Sequence, residues 1–142
     1  MKNHNNNNYI LLVDDEKDIL FLYTEWLKFD GYKVVSFDNP IEALSFLNKN
    51  DNISNCSLII TDYKMPQMSG LDLIKKIREN DHNSNIKTII VSAYVKDDLL
   101  KDNPYLQKID KILEKPVDID TLKNEIKHFT NDSILKLSIK FN

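Results

Sequence analysis

Five polar side chains follow directly on apolar runs: Asp14 and Asp15 after ILLV, Asp62 after LIIT, Ser92 after TIIV and Lys115 after KILE. An apolar run that stops at a polar group is the mark of a buried strand whose carboxyl end meets solvent. In open parallel sheets those ends form the ligand crevice, centred where the strand order reverses. Three carboxylates meeting there repel by roughly 4 kcal/mol per pair at about 4 Å and an effective dielectric near 20. Relief comes either from protonating one of them or from a divalent cation with oxygen ligands. An all-oxygen site with few carboxylates suits Mg2+, which keeps water ligands and favours phosphate, and Mg2+ is the reading adopted. Lys115 adds a fixed positive charge and Ser92 a hydroxyl donor, a pair that complements a tetrahedral anion. A carboxylate flanked in this way can accept a phosphoryl group as an acyl phosphate, with positioning and charge neutralisation supplying the catalysis. Taken singly, the same residues have plainer uses. Asp14, Asp15 and Glu16 suit a helix N-cap and acidic first turn, Asp62 a turn, Ser92 a cap and Lys115 a solvated surface.

The elements that would bring these groups together are written in the hydrophobic pattern. Strand-like runs stand at 9 to 13, 33 to 37, 57 to 61, 87 to 91 and 108 to 113. Between them the apolar period becomes helical. The first stripe holds Ile19, Leu20, Tyr23, Trp26 and Leu27, with Trp26 expected in the core, and the second holds Ile41, Leu44 and Leu47. Later stripes hold Leu71, Ile74 and Ile77, then Ile119, Leu122, Ile126 and Phe129. Asn39 before Pro40, Ser69 and Asp118 are N-cap residues by type, and Gly31 suits a helix C-terminus. A weaker helix is expected between Val95 and Asn103, ended by Pro104. Repeated β-α alternation predicts an α/β fold, a doubly wound five-stranded parallel sheet with right-handed crossovers. The first, third and fourth runs are continuously apolar and should be central, and the other two should be edges. Order 2-1-3-4-5, the flavodoxin-like arrangement, satisfies that pattern without being the only order that could.

At 142 residues, with 42% hydrophobic and 29% charged side chains, the chain has the length and composition of one globular domain. Its two glycines, Gly31 and Gly70, cannot write a glycine-rich phosphate loop. The lone Cys56 excludes an internal disulfide and a multi-cysteine metal site, and reads as a small buried hydrophobe just before the third strand. His4, His82 and His128 share no ligand spacing. A net charge of -3 with scattered basic residues gives no footprint for nucleic acid, and no apolar run approaches the ~18 residues of a membrane span. Without a signal-like apolar segment, the expected location is cytoplasmic. The Asn-rich lead, 1 to 8, is expected to be disordered, with the domain over 9 to 130. Residues 131 to 142 alternate apolar and polar side chains and read as a short strand or an extension of the last helix, docked on the domain or added to a partner's sheet edge.

The motifs VDDE at 13 to 16, TDYKMPQMSG at 61 to 70, VSA at 91 to 93 and EKP at 114 to 116 occur in this order and spacing. In them the chain resembles the stand-alone receiver domain of two-component response regulators, of the CheY-like superfamily, over about 9 to 130. The resemblance implies that Asp62 is the phosphoacceptor and that Asp14, Asp15 and Asp62 hold Mg2+ with the backbone carbonyl of Lys64. It implies that Ser92 and Lys115 bind the phosphoryl oxygens and that Lys115–Pro116 is cis. It also implies a histidine kinase or histidine phosphotransfer protein upstream and an unidentified protein downstream, with a homodimer left open and neither nucleic acid nor membrane bound directly. On this reading the chain is not an enzyme beyond catalysing its own phosphoryl transfer and dephosphorylation.

One position departs from the pattern. Receivers typically carry an aromatic residue three places before the lysine, and Ile112 stands there, so the usual inward swing of that ring is in doubt. Lys64 and Tyr94, two places after Asp62 and Ser92, occupy positions that in the family tune hydrolysis of the phosphoaspartate. Two other readings compete with the phosphorylation-switched one. The first is a constitutive docking module with a vestigial phosphorylation site. The second is an aspartyl-nucleophile phosphatase, against which Lys64 stands where such enzymes commonly place a second aspartate.

Overall fold

Alternate residues of a strand face opposite sides of the sheet, so a run that is apolar at every position must be covered on both faces. The structure, a computed structural model, describes residues 7–80, 83, 85–94 and 96–130. Strands β1 (Tyr9–Val13), β2 (Val34–Phe37), β3 (Cys56–Asp62), β4 (Lys87–Ser92) and β5 (Lys111–Glu114) alternate with helices α1 (Lys17–Phe29), α2 (Pro40–Leu47), α3 (Gly70–Ile77), α4 (Lys96–Asp102) and α5 (Ile119–Phe129). All strand pairs are parallel and the order is β2-β1-β3-β4-β5, the order adopted above as satisfying the burial pattern.

Each strand divides its side chains between two cores. Leu11, Val13, Ile59, Ile90 and Ile112 pack with Ala43, Leu47, Leu73, Ile74, Ile77 and Leu99 from α2, α3 and α4. Ile10, Leu12, Leu58, Ile60, Ile89, Val91 and Leu113 pack with Leu27, Leu122 and Ile126 from α1 and α5. Truncating one such buried aliphatic to alanine typically costs about 2–5 kcal/mol. The caps fall where residue type put them. The Asn39 side chain accepts from the N–H groups of Ile41 and Glu42, Ser69 from Asp72 and Asp118 from Thr121. Gly31 closes α1 at φ 94°, in the left-handed region that glycine enters without strain.

Some expectations are corrected. Trp26 is 39% exposed, not core, because at 100° per residue it lies about 100° round α1 from the fully buried Leu27. Ile41 is exposed for the same kind of reason, the buried face of α2 being Pro40, Ala43 and Leu47. The fifth strand begins at Lys111 rather than 108. Pro104–Lys108 forms a 3-10 helix, and the Asp110 carboxylate accepts the Thr88 N–H at 2.8 Å in place of backbone pairing. Cys56 opens β3 and is buried, which pushes its thiol up to about 12. The lead up to residue 6, Val95, His82 and the stretch 131 to 142 with its strand or helix reading lie outside the described residues. Among the described residues no helix is long and apolar enough to cross a membrane.

The turn after β3 is set by Gly70, whose N–H donates to the Tyr63 carbonyl at 2.7 Å. A Cβ at this position would stand 2.1 Å from the Asp62 carbonyl oxygen and 2.9 Å from Thr61 Cγ2. Gly70→Ala should therefore lower stability by about 1–3 kcal/mol, as overpacking does. The check is a urea titration, in which the midpoint moves down at unchanged slope; an unmoved midpoint would mean that the 63 to 70 loop yields freely.

Candidate functional site

The carboxyl ends of β1, β3, β4 and β5 open on one side of the sheet, and β1 and β3 are the neighbours between which the direction of winding reverses. Asp14 leaves β1 with its N–H donating to the Phe37 carbonyl at 3.1 Å, and its Oδ1 accepts the Glu16 N–H at 2.9 Å. Asp62 closes β3, and its Oδ1 accepts the Tyr63 N–H at 3.1 Å. Lys115 follows β5, where its N–H donates to the Ser92 carbonyl at 2.7 Å, and the Lys115–Pro116 bond is cis. From there Nζ stands 2.9 Å from Asp62 Oδ1 and 3.6 Å from Glu16 Oε1. Ser92, at the end of β4, is buried and its Oγ accepts the Tyr94 N–H at 2.9 Å.

Asp14, Asp15 and Asp62 each bring one carboxylate oxygen to within 4.8 Å of the others. Asp14 and Asp62 are buried, whereas Asp15 is half-buried. A cleft of about 210 Å3 is lined by Asp15, Asp62, Lys64, Ser92, Tyr94 and Lys115, together with Glu16 and Ala93. Beside it a larger pocket of about 330 Å3 has apolar walls that include Leu12, Ile19, Ile60, Val91 and Val117, with Asp14, Asp62 and Lys115 among its polar lining. The structure thus brings all five of the strand-end residues singled out in the sequence to one place.

Electrostatics follow from that burial. Desolvation pushes the Asp14 carboxyl up to about 6, against the hydrogen bond from the Glu16 N–H and with help from the charge of Asp62. Burial also raises Asp62, and outweighs the hydrogen bond and charge of Lys115 that pull it down. For Lys115 burial acts downward, but the hydrogen bond to Asp62 and the charges of Asp62, Asp14 and Glu16 together hold it above the ordinary lysine value. One ammonium cannot offset this many acids, and an all-oxygen donor set with excess negative charge is the chemistry of a hard divalent cation.

Three contributors had no distinct signal in the sequence. Glu16, which fits an acidic first turn, instead faces Lys115. Tyr63 supplies an N–H to Asp62, sets its ring edge-on to that of Tyr94 and accepts from the side-chain amide of Asn103 at 3.1 Å. Tyr23 bonds through its hydroxyl to the Val117 carbonyl, joining α1 to the segment after Lys115. Ile112 is buried among Leu99, Leu106 and Ile109, opposite Ile90 of β4.

The profile of the response regulator receiver domain matches residues 10–127. Sporulation initiation phosphotransferase F of Bacillus subtilis (strain 168) is 30% identical over 123 residues, 87% of this chain and 94% of that protein. A two-component response regulator of Oryza sativa subsp. japonica is 38% identical over 85 residues, 60% of this chain but only 39% of that longer protein. The fold superposes on the crystal structure of response regulator protein TrrA from Thermotoga maritima, in complex with Mg2+ and BeF, at a TM-score of 0.70. The two are 31% identical, and the match covers 87% of this chain and 99% of that one.

Asp14 carries a stability signature of its own. Its carboxyl sits near 6 when folded, against an ordinary value of 3.8. Below the ordinary value both states are protonated; as pH rises toward 6 the unfolded chain ionises first, so stability is lost across that window. In chelator, Asp14→Asn should stabilise the protein at pH 7 by roughly 1–3 kcal/mol, the upper bound being the free energy of moving a carboxyl from its ordinary value to the folded one. It should also abolish any stabilisation by added Mg2+. Denaturation at pH 4 and pH 7, with and without the ion, reads both effects, and a destabilised Asn variant at pH 7 would contradict the burial argument.

Proposed function

Because this chain belongs to the response regulator receiver domain family, we propose that it is a phosphorylation-switched signalling domain in which Asp62 accepts the phosphoryl group. Receivers bind Mg2+ at an acidic pocket and work with histidine kinases or phosphotransfer proteins, and the chemistry of this site accords with both. The observation that carries the reading is the 2.9 Å contact of Lys115 Nζ with Asp62 Oδ1 beside the clustered oxygens of Asp14 and Asp15.

Asp14, Asp15, Asp62 and the backbone carbonyl of Lys64 would hold Mg2+, which when bound neutralises the carboxylates and the incoming phosphoryl oxygens. The remaining work falls to the chain. Lys115 and the Tyr63 N–H both engage Oδ1 of Asp62, so Oδ2 is the oxygen presented for attack. In the transfer a P–O bond forms to Asp62 as the P–N bond of the donor's phosphohistidine breaks; the imidazole leaves with the electron pair and takes a proton from solvent. Lys115 then turns from the carboxylate to a phosphoryl oxygen. Ser92, whose Oγ already accepts the Tyr94 N–H, keeps its own proton to donate to another. The buried walls of the neighbouring pocket lower the local dielectric and strengthen each of these contacts.

The product adds about -1.5 to -2 units of charge, enough to bias a segment whose two arrangements differ by a few kcal/mol. The α4 and β5 face, which borders Ser92 and Lys115, is where docking of a downstream partner would change. On this reading catalysis is limited to the chain's own phosphorylation and dephosphorylation, and the protein works in the cytoplasm. A constitutive docking module is the second reading, and it draws on Ile112, a packed aliphatic where a mobile ring is usual.

Intact-mass measurement after incubation with Mg2+ and acetyl phosphate separates the two. Wild type should gain one phosphoryl group and Asp62→Asn none, whereas an unmodified wild type would favour constitutive docking. Tyr94 lines the cleft against Tyr63, a place from which its ring would restrict the approach of water. The phosphorylated form should accordingly persist after the donor is removed, and Tyr94→Ala should shorten its lifetime. Rapid loss of label from wild type would overturn that part of the account.

A further inference from the structure

Two ammonium groups converge on one aromatic ring away from the acidic cleft. Lys75 Nζ, from α3, and Lys108 Nζ each stand 5.1 Å from the centre of the Tyr105 ring, within reach of its negative face, so the two are no more than about 10 Å apart. The local backbone accounts for one of these contacts. Pro104–Lys108 is a 3-10 helix, in which residues three apart eclipse one another, and this sets Lys108 over Tyr105. The other contact follows from packing. Tyr105 rests half-buried against the core cluster that contains Leu73 and Ile77 of α3, and Arg78, just past that helix, donates from Nη1 to the Lys108 carbonyl at 3.0 Å.

What the cluster lacks is an acceptor. Arg78 is paired with Asp110, but neither Lys75 nor Lys108 forms an ion pair among the described residues, although Asp72 and Glu79 stand about a turn from Lys75 on either side. Unlike the hydroxyls of Tyr9, Tyr23 and Tyr63, that of Tyr105 makes no hydrogen bond among the described residues. Three neighbouring groups that can donate, two of them charged, complement a ligand that only accepts, and a carboxylate is one. Exposed Asp72, Glu79 and Asp102 are close by in the chain, and their charge disfavours a long run of phosphates while leaving a place for one or two carboxylates. On a helix, side chains one turn apart have Cβ atoms about 5–6 Å from each other, a spacing from which two glutamates reach both ammonium groups. We propose that Lys75, Tyr105 and Lys108 form a docking surface for an acidic helical segment of a partner protein. Two carboxylates one turn apart meet the two ammonium groups, and the phenol donates to one of them. None of the three residues lines the cleft around Asp62, so this inference stands apart from the phosphorylation chemistry.

The probe is an alanine-based helical peptide with two glutamates one turn apart, titrated into the isotope-labelled full chain and followed by NMR. The amide signals of Lys75, Tyr105 and Lys108 should shift with the peptide, less so in high salt, and should not move with a peptide carrying glutamines instead. Lys75→Glu/Lys108→Glu should weaken binding about tenfold or more, as two exposed ion pairs become two repulsions. Lys28→Glu/Lys33→Glu, the same change of charge near α1 and β2, should leave affinity within about twofold, because screened charges outside the contact contribute little. Far-UV circular dichroism verifies the fold of both variants. Absence of shifts at these residues, equal binding of the glutamine peptide or equal loss in the two variants would overturn the proposal. So would tighter binding of a single-stranded oligonucleotide of the same charge, which would assign the patch to nucleic acid.

Discussion

Like charge gathered in a poorly solvated crevice is the constraint around which the molecule is arranged. Asp14 and Asp62 are buried at the ends of adjacent central strands, and desolvation raises both carboxyls even with Lys115 in contact. Such an arrangement costs stability by itself and persists only because the strands beneath it are held from both faces. The two cores therefore do more than stabilise the fold. They fix the separation of the acidic tips, which Coulomb repulsion would otherwise increase.

Much of this was legible in the sequence because burial on two faces leaves a pattern that cannot be mistaken for an amphipathic helix. The runs ending at Asp14, Asp62 and Ser92 hold three or more consecutive large aliphatic residues, as strands covered on both faces do, and so read as central with their last residues at one edge. The EKP motif could be put beside them through its order in the chain. Less was visible wherever side-chain direction decides the outcome. Trp26 and Ile41 sit near the border of their helical stripes, and a shift of one residue in the buried face places them in solvent. The start of β5 was hidden because Asp110 replaces a backbone partner, a substitution that hydrophobic periodicity does not register. Glu16 gave no signal of its link to Lys115, since that pairing depends on how the segment after β5 approaches α1.

Ile112 shows how one position can alter the mechanics of a familiar framework. It is buried in the same core cluster as Leu99, Leu106 and Ile109, so it belongs to the packed interior rather than to a swivel at the surface. A branched aliphatic in close packing has few alternative rotamers, and moving it would open a void of its own size. A rearrangement near α4 of the kind proposed above would then shift whole elements rather than rotate this side chain.

The two tyrosines at the cleft supply such a linkage. Ser92 Oγ is held by the Tyr94 amide, the Tyr94 ring leans edge-on against Tyr63, and Tyr63 bonds at one end to Asp62 and at the other to Asn103, just past α4. These contacts form a chain from the Asp62 carboxylate to the far end of the fourth helix. Moving the Tyr63 ring would break its hydrogen bond from the Asn103 amide, so the segment after β3 and the end of α4 are joined by a contact that does not involve position 112.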